Sequence, residues 1–581
     1  MSSSLEIILP KLTVQAFSQD RASFIWQVAD DILRDAFKRH EYGDVILPFV
    51  VLRRLDCVLE PRKDAVIKAY KNFKDKLSDP SPVLLSESGL NFFNTSDYDL
   101  QRLSQDARNI EINFTSYING FSKNVYDIVE NFQIDKVLAR LSKGNLLLML
   151  IKKFTEIDLH PDKVSNHEMG YIFEELLRRF SEMSNETAGE HYTPREVIRL
   201  MVNLLFAEHQ GDLKDKGIVR CVYDPACGTG GMLTIAKEHI LSINPKAGIF
   251  LYGQELNPQS YAIAKADLLI MGEDAENIRF GSSFTEDGLR GKRFDFMLSN
   301  PPFGVSWKNA KDFIEKESQD PYGRFSAGIP RVSDGALMFL QHMISKVEAR
   351  GSRIAIIFNG SPLFTGDAGS GESNIRRWII QSDWLEAVIA MPTELFYNTG
   401  IATYIWIVTN RKPEHRRGKV QLINAVDFYE KMRKSLGNKR NYISDEHIQR
   451  ITEIYTKFRQ DKHCKIFNNS EFGYTKVTVE RPLIEGGKVV RDKPGNPKPD
   501  SSLRDYEKVP LTDSIDEYFR REVLPHVPDA WMDRSKDKVG YEISFTKYFY
   551  EYKPLRSLAD IKGDILRLEA ETEGMLKEIL E

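Results

Sequence analysis

The chain has 581 residues, 41% of them hydrophobic and 28% charged, with a formal net charge of −4. At about 150 residues per domain this suggests about three or four domains and excludes a minimal fold, while the ordinary apolar fraction excludes wholesale disorder. No apolar run approaches the ~20 residues that a bilayer-spanning helix needs, and the start, MSSSLEIILPKL, lacks the basic segment and apolar core of a signal peptide. Four cysteines (Cys57, Cys221, Cys227, Cys464) form no CxxC pair and no disulfide framework, so the sequence reads as a soluble, reduced, intracellular protein.

Residues 20–160 read as helical, with apolar spacings such as Phe24, Val28, Ile32 and Leu47, Val51, Leu55. The stripe Met169, Ile172, Phe173, Leu176, Leu177, Phe180 continues that character as core packing. His167-Glu168 is followed by Tyr171 where a zinc-binding H-E-x-x-H helix needs its second histidine, so it reads as a helix surface pair. Glu174 and Glu175 are adjacent and diverge on a helix, so they are not read as a catalytic couple. In GEHYTPREV (189–197), Thr193, Pro194 and Glu196 fit the N-cap, N1 and N3 positions of a helix with the stripe Val197, Leu200, Met201, Leu204, Leu205. That spacing predicts a capping box, and the same helix N-terminus suits a carboxylate such as that of a bound amino-acid moiety.

From about 218 strand-like runs alternate with helical stretches: 219–223, 249–253, 294–299, 353–358, 385–391 and 403–409. This alternation predicts a doubly wound, mostly parallel sheet, whose ligands sit at the carboxyl ends of the strands. No G-x-x-x-x-G-K-[ST] occurs, since GLRGKRFD (288–295) has the wrong spacing, and a P-loop hydrolase is excluded. Residues 411–440 carry ten Lys/Arg against three acids, which by itself reads as a solvated charged turn. EGGKVVRDKPGNPKPDSS (485–502) reads as a loop or linker, and 556–581 as an amphipathic helix with Ile561, Ile565, Leu568, Met575 and Ile579 on one side.

Two stretches join the YTP segment as candidates for chemistry. YDPACGTGGM (223–232) follows a strand, and Gly228, Gly230 and Gly231 remove Cβ atoms where backbone must approach a ligand. The next strand ends in Glu255, an acid able to accept from both hydroxyls of a ribose. SNPPF (299–303) follows another strand: Asn300 supplies a side-chain carbonyl, Pro301 and Pro302 fix the backbone, and Phe303 offers a flat apolar face. This set suits a planar heterocycle with an exocyclic amine, which would donate to Asn300 and to the Pro301 carbonyl while its ring stacks on Phe303.

In this order the three stretches resemble the modification subunit of type I restriction–modification systems, a γ-class N6-adenine DNA methyltransferase. Segments 394–407, 540–550 and 45–63 extend the resemblance over nearly the whole chain, although Ser282 stands where an acidic or amide residue often follows the glycine of GSSF (281–284). The resemblance implies a class I S-adenosylmethionine-dependent (Rossmann-like) α/β fold, with an N-terminal helical domain (1–165), a catalytic domain (166–480) and a linker with a C-terminal helical region for assembly (481–581). It implies S-adenosyl-L-methionine as cofactor, held by Glu190, His191, Tyr192, Thr193, Pro194, Arg195, Asp224, Ala226, Gly228, Thr229, Gly230, Gly231 and Glu255, with Asn300, Pro301, Pro302 and Phe303 catalytic and no metal. The implied substrate is double-stranded DNA with one adenine flipped out, stacked on Phe303 with Phe396 or Tyr397 opposite. The implied partners are a specificity subunit shared by two modification subunits and a separate restriction/translocase subunit, in a prokaryotic cytoplasm. Two rival readings remain open on the motifs alone: methylation of a protein glutamine or RNA base amine, since Asn-Pro-Pro-aromatic suits any planar N–H donor, and a cofactor-binding scaffold without chemistry.

Overall fold

The computed structural model describes residues 13–184, 193–397, 399–493, 495–550 and 557–580. Residues up to Ile543 form one compact unit and Ser544–Glu581 a second. Glu190, His191 and Tyr192 lie outside the described residues.

The first unit begins with helices, among them Thr13–Leu33, Tyr42–Leu59 and Lys123–Asn131, packed around one apolar core. Helix Asn166–Ser184 belongs to this core through Met169, Ile172, Phe173, Leu176 and Phe180. It starts where Ser165 Oγ accepts from Glu168 N (3.2 Å) and the Glu168 carboxylate accepts from Ser165 N (2.7 Å), a reciprocal cap that accounts for Glu168.

A nine-stranded sheet follows. Its strands are β1 (Val219–Asp224), β2 (Gly248–Glu255), β3 (Ile278–Phe280), β4 (Phe296–Ser299), β5 (Arg353–Asn359), β6 (Leu385–Ala390), β7 (Thr403–Thr409) and β8 (Lys419–Asn424). A basic hairpin, β9 (Glu430–Leu436) and β10 (Lys439–Tyr442), precedes the edge strand β11 (Cys464–Asn468). The spatial order is β11-β8-β6-β7-β5-β4-β1-β2-β3. Neighbours are parallel except where β7 enters between β5 and β6 and where β11 closes the edge. Inner strands such as β5 and β6 are buried along nearly their whole length, which explains their unbroken apolar runs.

Helix Pro258–Ile270 joins the two layers. Asn257 caps it, accepting from Gln259 N and Ser260 N at 3.0 Å each, with Pro258 at the first turn. One face packs under the sheet through Ala264 and Leu268, and the other enters the helical core through Ala262, Ile263, Ala266 and Leu269. The helical layer therefore rests on the β2–β3 side of the sheet.

One sequence expectation changes. The segment from 481 read as linker and helical region carries strands: Asp505–Pro510 and Trp531–Tyr541 pair with Gly473–Glu480 in a three-stranded antiparallel sheet, and 484–489 forms a small hairpin. Helical structure at the C-terminal end is carried by Phe545–Phe549 and Leu558–Leu580, where Ile561, Ile565 and Leu568 are exposed within their own unit.

The sheet is also held by a buried charged cluster. Arg353 on β5 donates to both oxygens of Glu386 on β6 (3.0 and 3.1 Å) and to the Leu205 carbonyl (2.9 Å), and the Tyr455 hydroxyl donates to the same carboxylate. Burial disfavours the Glu386 carboxylate, but Arg353 and Arg416 outweigh it and hold the group below the usual carboxylate range. A buried pair is costly to break because the survivor stays charged and unsolvated. Glu386→Ala is therefore expected to cost about 3–5 kcal/mol in urea unfolding, with Arg353→Met/Glu386→Leu recovering much of it; a loss below about 1 kcal/mol would show that the surviving Arg353 charge is not left buried and unpaired.

Candidate active site

The carboxyl ends of β1, β2 and β4, with helix Asn166–Ser184 and the start of helix Arg195–Phe206, enclose a cavity of about 570 Å³. That size is ordinary for a small-molecule site. Thr193, Asp224, Ala226, Gly228, Thr229, Gly231, Glu255, Asn300 and Pro302 line it.

The glycine loop turns sharply. Gly228 and Gly230 take positive φ (54° and 85°), which a side chain at either position would resist. The loop is tied to β2 at two points: Cys227 N donates to the Gln254 carbonyl (3.1 Å) and Gly228 N to Glu255 Oε2 (2.8 Å). Glu255 Oε1 accepts from Leu256 N (2.8 Å) and Asn257 N (2.7 Å). A carboxylate has about four acceptor positions, and three are engaged here, so Glu255 offers a ligand hydroxyl one position at Oε2 rather than two.

Asp224 is buried, and its Oδ1 accepts from Ala226 N and from the Ser299 hydroxyl, each at 2.9 Å. Burial pushes its carboxyl up to about 7 against those two hydrogen bonds. Ser283 donates to the Pro225 carbonyl (2.5 Å), so Gly281–Phe284 also faces the cavity, although no residue there was expected to bind.

Asn300 follows β4. Its Nδ2 donates to Thr193 Oγ1 (2.8 Å), while its Oδ1 is buried without a hydrogen-bond partner. Thr193 is thus drawn away from capping: Pro194 is the N-cap of Arg195–Phe206, with no side-chain cap, and the predicted box does not form. Glu196 instead pairs with Lys439 of β10. Arg195 does not line the cavity; it is buried between Tyr171, 4.4 Å from its ring centroid, and Glu174, whose Oε1 accepts from Arg195 Nε at 3.0 Å. Pro301 is buried outside the cavity lining, and Gly230 serves the turn.

Phe303 is half-buried and meets Phe396 edge-on, with centroids 6.3 Å apart and planes at 81°. Phe396 is only 2% exposed and braces Phe303 from the side, so it does not supply the parallel second face that was expected. The Tyr397 ring lies 5.8 Å from Lys439 Nζ.

Several cavity residues were not expected. Trp307, Phe284 and Phe339 form an apolar wall, with Trp307 Nε1 donating to the Arg331 carbonyl (3.0 Å). Glu174 reaches the cavity from the helical layer. None of these residues was singled out by the sequence patterns, because their place in the wall depends on segments far apart in the chain.

The geometry defines a ligand cavity at the carboxyl edge of a mixed α/β sheet, with a glycine loop at one side and an oriented amide at the other. The sequence model of the N-6 DNA methylase family matches residues 164–479, and that of the HsdM N-terminal domain matches residues 21–154. The chain belongs to the N-6 DNA methylase family. It is similar to the methylase subunit of the type I restriction enzyme MjaIX from Methanocaldococcus jannaschii (28% identical over 489 residues, covering 80% of this chain and 82% of that one). It is also similar to the methylase subunit of EcoKI from Escherichia coli (26% identical, covering 50% and 54%). The methyltransferase subunit of a type I restriction–modification system from Streptococcus thermophilus shares its fold, with a TM-score of 0.61 at 21% identity, covering 78% of this chain and 97% of that one. With both family segments in place, the protein is the modification subunit of a type I restriction–modification system and an adenine-specific DNA methyltransferase. No helix among the described residues is long and apolar enough to cross a membrane.

The raised Asp224 carboxyl has a thermodynamic consequence. Between about 4 and 7 the folded chain holds a proton there that the unfolded chain has released, so this group lowers stability as pH rises through that window. Asp224→Asn, which keeps the Oδ1 acceptor but cannot ionise, is expected to gain stability relative to the wild type from pH 4 to 7, by up to about 1.4 kcal/mol per pH unit, and to level off above 7. Urea unfolding at pH 5, 6, 7 and 8 measures it; a difference independent of pH would mean that Asp224 is ionised throughout.

Proposed function

We propose that the cavity holds S-adenosyl-L-methionine and that Asn300 presents its unpaired Oδ1 to the N6 amine of an adenine flipped out of duplex DNA. The observation that carries this reading is the Asn300 amide, whose Nδ2 is held by Thr193 and whose buried Oδ1 has no partner. A buried acceptor left unmade costs about 1–3 kcal/mol, which an incoming N–H donor recovers. The residues fit the cofactor: Glu255 Oε2 keeps one acceptor position for a ribose hydroxyl, Gly228 and Gly231 leave room for close backbone approach, and the Trp307–Phe284 wall is apolar.

S-adenosylmethionine supplies an electrophilic methyl group on a sulfonium centre. Asn300 Oδ1 accepts one N6–H, which localises the nitrogen lone pair and turns it towards the cavity. Phe303 stacks under the base and offsets unstacking with about 1–3 kcal/mol. Thr193 Oγ1 accepts from Asn300 Nδ2, which leaves Oδ1 as the acceptor that meets the amine. Much of the rate gain comes from holding two bound reactants in line, and no cysteine attack is needed.

The DNA sequence would be read by a separate specificity subunit, two modification subunits sharing one, with a restriction subunit supplying nuclease and translocase functions. The same reading takes the domain limits as 1–165, 166–480 and 481–581, and the three-stranded sheet crosses the last of these limits, since Gly473–Glu480 lies before it and Asp505–Pro510 and Trp531–Tyr541 after it.

Asn300→Ala is expected to lower methyl transfer to DNA by 100-fold or more while S-adenosylmethionine affinity stays within about threefold. Thr193→Val, which frees the amide to rotate, is expected to lower kcat by about 10-fold or more with little change in cofactor affinity. Strong residual methylation by the Asn300 variant would refute the assignment.

A further inference from the structure

Glu174 is a carboxylate that the mechanism above leaves unused. It projects from the helical layer into the catalytic cavity and is 7% exposed. Its Oε1 accepts from Arg195 Nε, but its Oε2 is buried with no hydrogen-bond partner. It stands over the start of the helix that follows the glycine loop: a Cβ on Gly231 would lie 4.0 Å from Glu174 Oε1. Arg195 is also packed against Gly170 and Tyr171, so Arg195 cannot swing round to pair with the second oxygen without leaving its own site.

We propose that Glu174 is a cofactor-binding residue whose Oε2 takes the α-ammonium of the methionine moiety. This rests on the S-adenosylmethionine reading and deepens it. The amino-acid end of that molecule is a zwitterion. Its carboxylate suits the N–H groups at the start of helix Gly231–Ile243, and an ammonium beside it then needs a buried acceptor of opposite charge. Glu174 Oε2 is such an acceptor at that end of the cavity, while Glu255 serves the other end. Burial pushes the Glu174 carboxyl up to about 7 although Arg195 opposes it, as expected of a group awaiting a second cation.

The test compares three ligands by calorimetry on the full chain: S-adenosylmethionine, S-adenosylhomocysteine and 5′-methylthioadenosine. The first two carry the ammonium, only the first carries the sulfonium, and the third has neither. Glu174→Gln is expected to weaken the first two by tenfold or more and to leave the third within twofold, and that third affinity also checks that the variant keeps its cavity. If it does not, Glu174→Asp replaces it and is expected to show the same selective loss. A loss for S-adenosylmethionine alone would place Glu174 on the sulfonium, an equal loss for all three would make it structural, and no loss would remove it from the site; each overturns the proposal. Failure of the wild type to bind any of the three would instead overturn the cofactor reading itself.

A second, independent observation concerns the basic run at 411–440. Lys412 is buried against Asp383 (2.6 Å), Arg416 joins Glu208 and Gln421, and Lys439 is buried against Glu196 and the Leu395 carbonyl. Of the exposed remainder, Arg411, Arg417 and Lys419 lie before the β9–β10 hairpin and Arg440 on it faces Glu394, while Lys431, Arg433 and Lys434 on β9 form no ion pair among the described residues. The hairpin is fastened to the wall of the active site: Asn438 N donates to the Tyr397 carbonyl (2.7 Å), Arg440 N to the Glu394 carbonyl (2.9 Å) and Asn441 Nδ2 to the Thr393 carbonyl (3.0 Å). That wall carries Phe396 against Phe303.

We also infer that this hairpin grips the DNA backbone beside the extruded base. Phosphate contacts position a duplex and release counterions on binding. Binding of the full chain to a 30-base-pair duplex is measured at several salt concentrations. The triple variant Lys431→Ser/Arg433→Ser/Lys434→Ser is expected to lower the slope of log K against log salt by about one unit per cation removed, with S-adenosylmethionine affinity unchanged. An unchanged slope, or no measurable duplex binding by the wild type, would overturn it.

Discussion

The hydrogen bond from Asn300 Nδ2 to Thr193 Oγ1 ties the loop after β4 to the start of helix Arg195–Phe206 and leaves the other end of the amide, Oδ1, buried without a partner. In the proposed reaction that acceptor meets the adenine amine, and a reversed amide would present a donor to a donor. Everything around this bond serves to keep it. Two prolines stiffen the loop after β4, and the helix that follows Thr193 is buried along most of its length. Lys439 reaches across from β10 to hold Glu196 in the first turn of that helix.

The cavity draws on both layers of the first unit. The sheet brings the glycine loop, Glu255 and Asn300 to one edge, because residues after parallel strands emerge on the same side. The helical layer is more than an attachment, since helix Asn166–Ser184 packs in its core yet delivers Glu174 into the cavity. Helix Pro258–Ile270, shared by both cores, fixes the distance between them. Changes on one layer should therefore be felt in the pocket of the other.

Much of this was legible in the sequence because it rests on local chemistry. The runs at 353–358 and 403–409 lie in strands covered along nearly their whole length, where continuous apolarity is what burial requires. The glycine loop, Glu255 and Asn300 were legible because each stands at the carboxyl end of a strand. What was missed depends on partners far away in sequence. Thr193 fits a capping box perfectly well by spacing, but its partner is Asn300 and that of Glu196 is Lys439. Glu174 looked like one of two divergent helix carboxylates, and only its neighbours Arg195 and Gly231 reveal its surroundings. The strands Asp505–Pro510 and Trp531–Tyr541 are largely exposed and charged, so they lack the apolar alternation that marks a half-buried strand. Of the two residues expected to give a second stacking face, Phe396 is consumed by the core.

The most direct test of the account is a structure of this modification subunit, assembled on DNA with S-adenosylhomocysteine in the cavity. The account predicts the target adenine with its N6 about 3 Å from Asn300 Oδ1 and the ring on Phe303, while Asn300 Nδ2 still rests on Thr193. An amide turned the other way, or an N6 amine held by a different acceptor, would contradict it.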